Sequence, residues 1–78
     1  MPHPLLSVLN ELLYKISDID DLSDFKYYGF VNREGGWYIM REDLTAHTYR
    51  YATGETDYPT NWENRKTTIV YGYFYDVF

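Results

Sequence analysis

Four carboxylates crowd into the run SDIDDLSDF, at Asp18, Asp20, Asp21 and Asp24, and clustered acids are the first place to look for a cation site. A calcium loop of the EF-hand type needs ligands at alternate positions, a glycine sixth and a glutamate twelfth. Counted from Asp18, the chain has Ser23 and Gly29 at those places, so the loop is not built. Glu55 and Asp57 form a second acidic pair on a loop. Paired carboxylates that cleave glycosides flank a concave cleft, which so short a chain has little material to make. Ser7, Ser17 and Ser23 stand outside any nucleophile-elbow context, and His3 and His47 lie far apart without ligand spacing. Neither glycine-rich phosphate loop, G-x-x-x-x-G-K-[ST] or G-x-G-x-x-G, is present. The expectation is a protein that is not an enzyme and holds no cofactor and no metal.

What the chain does have in excess is rings. Aromatic residues make up 21% of it and tyrosine supplies ten positions, more than a core this small encloses. Tyrosine pairs an apolar ring with a tip that tolerates water, so the surplus points to contact surfaces. The segment TYRYATGETDYPTNW gathers Tyr49, Tyr51, Tyr58 and Trp62 around Gly54. Trp37 precedes it, and Tyr71, Tyr73 and Tyr75 follow near the end.

These residues need elements to hold them. Leu5, Leu9, Leu12 and Ile16 recur at helical steps after Pro4, with Leu6, Val8 and Leu13 widening the stripe, which predicts an amphipathic helix. Its apolar face either packs on the domain's own sheet or forms a short seam between subunits. The acidic run to Asp24 reads as a solvated linker that ends the helix. From Lys26 the period changes to two. KYYGFVN and WYIMRE read as strands joined by a hairpin at REGG, and HTYRYAT reads as a third strand with Tyr49 and Tyr51 on one face and Arg50 on the other. Thr60 and Glu63 have the spacing of a capping box, placing a short helix with Trp62 on it. KTTIVYGYFYDVF, apolar on both faces, reads as a fourth strand that is central or lies in an interface. The expected fold is α+β: an N-terminal helix and linker over residues 1–24, then an antiparallel sheet of about four strands over residues 25–78, with a short helix before the last strand.

Seventy-eight residues make one domain, and a domain of that size wants a staple. With no cysteine and no metal spacing, oligomerisation is the expected one, with a trimer as the expected form. A net charge of -5 disfavours nucleic acid as a partner, and residues 4–16 are too short and too often interrupted to span a membrane.

Three elements of the second half carry a resemblance: W-Y-I at Trp37, then R-Y-A-x-G-x-x-D-Y from Arg50 with W-x-N-R from Trp62, then a tyrosine-rich end closing at Val77 and Phe78. From Gly36 to Phe78, a little over half the chain, this order is similar to a group of small proteins of tailed bacteriophages associated with virion or tail-fibre components. The resemblance implies synthesis in a host cytoplasm followed by residence in a virion, with other virion proteins as partners. The expected contact surface comprises Leu5, Leu9, Leu12 and Ile16 on the helix together with Trp37, Tyr49, Tyr51, Tyr58, Trp62, Tyr71, Tyr73 and Tyr75. Two other readings stay open. Exposed Trp37, Tyr49, Tyr51 and Trp62 suit a carbohydrate-binding module, and the acidic run suits a small inhibitor of a host protein.

Overall fold

The structure, a computed structural model, describes residues 14–78. The helix expected from Pro4, and with it Leu5, Leu9 and Leu12, lies outside the described residues up to Leu13. The described chain is one antiparallel sheet with two short helices: β1 (Lys15–Asp20), β2 (Phe25–Val31), β3 (Trp37–Asp43) and β4 (Thr48–Gly54), then α1 (Tyr58–Glu63) and α2 (Phe74–Val77). The strands lie in chain order, each paired with the next.

Each connection follows from a local acceptor. At the end of β2, Asn32 Oδ1 accepts the backbone N–H groups of Glu34 and Gly36 at 3.0 and 2.7 Å, and Gly35 takes φ 93°, a value a glycine reaches without strain. After β3, Asp43 Oδ1 accepts the N–H groups of Thr45 and Ala46, both at 3.0 Å, and His47 carries the left-handed residue of the turn at φ 58°.

Three corrections to the expected layout follow. Ile16 and the acidic run do not continue a helix into a linker; Lys15–Asp20 is the edge strand β1. Its pairing with β2 shifts register between Ile16 and Asp18, so Ile16 sits opposite Phe30 while Asp18 sits opposite Gly29. That bulge puts Ile16 and Ile19 on one face although they are three residues apart, a spacing that imitates a helix. The C-terminal run is not a strand either. It meets the sheet at a single bridge between Tyr51 and Gly72 and then turns into α2, so its rings are not divided between the two faces of a central strand. Finally, α1 starts two residues before Thr60, so the capping box is not formed. Asp57 takes the cap position at φ 63° with no side-chain hydrogen bond; its carbonyl accepts from Asn61 instead.

The core lies between the sheet and the chain that follows β4. Tyr27, Trp37, Ile39, Ala52 and Tyr58 are buried, with Phe25, Val31, Trp62, Ile69 and Tyr71 packed around them. Residues directly opposite in register share a face, so Gly29, Ile39 and Ala52 form one row under α1. Gly29 makes the approach possible: a Cβ there would collide with the Tyr58 hydroxyl and lie 2.9 Å from Trp62. Replacing Gly29 by Ala forces α1 off the sheet. The expected cost is about 1–3 kcal/mol, the range for overpacking. Urea denaturation followed by Trp fluorescence measures it, with Thr45→Ala, in the exposed β3–β4 turn, expected to stay close to wild type.

Candidate interaction surfaces

The sheet presents two different faces. On the face under α1, one row runs Asp20, Tyr27, Arg41 and Arg50, directly opposite one another across the four strands. Asp20 is only 7% exposed, and its Oδ2 accepts from Arg65 Nη2 at 2.9 Å and Nε at 3.1 Å while Lys66 Nζ lies at 3.3 Å. The forked Arg65 contact, then the Leu22 N–H, hold the Asp20 carboxyl below its ordinary range despite burial. Arg65 also lies over the Trp62 ring at 4.4 Å. Beside them Tyr58 donates its hydroxyl to Asp18 Oδ2 at 2.8 Å; burial, reinforced by that carboxylate, pushes the phenol strongly upward. Tyr71, whose hydroxyl donates to the Arg65 carbonyl at 2.9 Å, is raised by burial in the same way. These contacts tie β1 to the segment after α1. A cleft of about 370 Å³ opens between Asp18–Leu22 and Trp62–Lys66, and its cations are already engaged by Asp20.

The opposite face is built around Tyr38. Phe30 stacks on it at 4.4 Å, while Tyr14 and Phe78 meet it edge-on at 4.9 and 5.2 Å. Phe74 and Phe78 of the C-terminal turn contact Tyr51 at 5.3 and 5.8 Å, so α2 closes the β4 side of this face. Among the described residues nothing covers the β1 side, where Ile16 is 52% and Ile19 58% exposed. At the far end the hydroxyls of Tyr28 and Tyr49 donate to the two oxygens of Glu42 at 3.2 and 3.0 Å, and that bond raises the Tyr49 phenol.

The expected contact residues divide between these faces. Trp37 is 4% exposed, with its Nε1 donating to the Thr56 carbonyl at 2.7 Å and Gly54 beneath its ring, so it is a core residue. Tyr58 is likewise buried, and Trp62 and Tyr71 are packed against the core. Ile16, Tyr49 and Tyr51 belong to the open face. Tyr73 and Tyr75 stack in parallel at 5.3 Å, and Tyr75 is 76% exposed. The sequence reading missed Tyr14, Ile19, Phe30 and Tyr38. The period-two pattern of β2 and β3 carries the signal for Phe30 and Tyr38, since the hairpin at REGG sets them opposite each other. Glu55 and Asp57 are both exposed, and among the described residues no group of three metal-ligating side chains comes together. No protein-family model matches the chain, nor does any curated protein or solved structure.

Replacing Asp20 by Asn leaves the Arg65 charge without its carboxylate, at an expected cost of about 1–3 kcal/mol at neutral pH. Because the folded Asp20 carboxyl titrates below its unfolded value, its contribution is complete above the ordinary carboxylate range and disappears as pH falls through the folded value. Denaturation at a series of pH values therefore shows the wild-type and Asp20→Asn curves converging toward acid and parallel above it.

Proposed function

We propose that the chain is a non-enzymatic interaction protein that assembles with copies of itself through the open face of its sheet, as a structural component of a bacteriophage particle. The observation that carries the assembly is the half-finished burial of that face. Tyr38 is packed on three sides by rings, yet Ile16 and Ile19 on the edge strand β1, two strands away on the same face, remain more than half exposed. An apolar surface of this kind, rimmed by the polar Glu42 cluster, is what protein contacts use. The particle setting is supported by the resemblance of residues 36–78 alone.

Tyr73 and Tyr75, at the start of α2 and outside the core, supply a second contact for another virion protein. Of the four residues suited to stacking on a sugar, Trp37 is enclosed and Trp62 carries Arg65 on its ring, which leaves Tyr49 and Tyr51.

Light scattering or native mass spectrometry on the whole protein tests the assembly. The wild type is expected at a multiple of 9.4 kDa, and the Ile16→Lys, Ile19→Lys double variant at 9.4 kDa with its thermal unfolding retained. A wild type that stays at 9.4 kDa at micromolar concentration defeats the assembly reading.

A further inference from the structure

Tyr14, the first described residue, sets its ring edge-on against Tyr38 at 4.9 Å, so the chain enters β1 with a side chain already on the open face. Next to that contact, Ile16 stands opposite Phe30 and Ile19 opposite Tyr28. Both isoleucines are more than half exposed, while Phe74 and Phe78 occupy the β4 side of the same face. The uncovered apolar surface therefore adjoins the point at which the described chain begins.

The residues just before that point have the composition to cover it. Leu5, Leu6, Val8, Leu9, Leu12 and Leu13 make six of the nine positions from 5 to 13 apolar. Nine residues reach roughly 30 Å when extended, against about 10 Å between Ile16 and Ile19 along a strand, so the segment is long enough to reverse direction and return across both. Covalent linkage through Tyr14 also decides between occupants. A tethered segment meets the face at an effective concentration of roughly a millimolar, which a second copy in dilute solution does not match.

From this we propose that residues 5–13 dock on the Ile16 and Ile19 side of the open face of their own chain, as a cap that a second copy must displace; the cap regulates the surface through which copies join, and so rests on that reading of it. Docking withdraws leucine side chains and the two isoleucines from water together. It also sets the concentration at which copies assemble, because only the uncapped fraction of chains is competent. A face covered about nine-tenths of the time weakens assembly roughly tenfold.

The chain has no cysteine, so a nitroxide on Ser7→Cys labels one place, and isoleucine methyl signals read its distance from each face. Ile16 and Ile19 report on the open face, Ile39 and Ile69 on the core side. The labelled chain, diluted into an excess of chain without isotope, is expected to show Ile16 and Ile19 broadened several-fold more than Ile39 and Ile69. That difference is expected to fall to the level of simple chain proximity when Leu9→Asp and Leu12→Asp are added, and Leu9→Asp alone keeps the comparison available if the double variant does not fold. Without the label, light scattering is expected to find the double variant assembling at roughly tenfold lower concentration than wild type. Broadening that the aspartates leave unchanged overturns the proposal, as does broadening seen only when the nitroxide and the isotope are on different chains. Assembly at an unchanged concentration means that the segment does not cover the surface used, and overturns it too. A chain that shows the docked methyl pattern yet stays at 9.4 kDa defeats self-assembly and leaves the cap standing; one that assembles with Ile16 and Ile19 unbroadened does the reverse.

Discussion

The missing side chain of Gly29 lets the molecule close. Six residues of helix do not persist in water by themselves, so α1 exists because its rings reach the sheet. Tyr58 descends onto Gly29, and from there its hydroxyl reaches Asp18 on the edge strand. Trp62, one turn later, flanks the same glycine and supports Arg65, which reaches Asp20. Edge strand and helix are thus held by the same set of contacts. Neither is secured by an extensive apolar core, since among the described residues only Ile39 is completely enclosed.

The bulge between Ile16 and Asp18 gives that edge strand its double use. Without it, strict alternation would place Ile16 on the face of Asp18 and Asp20, where it would compete with the polar contacts to Tyr58 and Arg65. With it, the two acids face the helix while Ile16 and Ile19 join Phe30 and Tyr28 on the other side. One strand therefore closes the covered face with charge and extends the open face with apolar surface. β-bulges at sheet edges commonly re-aim side chains in this way.

The same bulge explains where sequence reasoning failed. Ile16 and Ile19 stand a helical step of three apart, and no composition rule distinguishes a helix from a bulged strand on that spacing. The runs around Tyr27, Ile39 and Tyr51 were legible as strands because nothing interrupts their alternation and because Asn32, Gly35 and Asp43 announce the turns. The C-terminal run misled for the opposite reason. Its β-branched and aromatic residues have strand propensity, but β4 offers it a single bridge at Gly72, and burying Phe74 and Phe78 against Tyr51 and Tyr38 requires the backbone to turn. Which rings are core was equally hidden. Trp37 and Tyr75 are alike in type, and only the closeness of Gly54 to one and the absence of a neighbouring layer at the other separate them.

A single sheet layer with unlike faces has a consequence for how contacts combine. The open face is apolar and aromatic around Tyr38, and a contact there draws on area removed from water, which salt scarcely affects. The covered face is filled by α1 and the C-terminal rings, with Arg41 and Arg50 stacked on Tyr71 and Tyr73 at its margin. Because the two lie on opposite sides of the backbone, a contact on one does not occupy the other, and Tyr51 links them mechanically. Its ring packs under Phe74 and Phe78 on the open side, while its backbone N–H and carbonyl exchange hydrogen bonds of 2.8 Å with Gly72, between the two tyrosines that wall the arginines. The rings on the two faces are therefore carried by one short C-terminal segment that is held to the sheet at Tyr51.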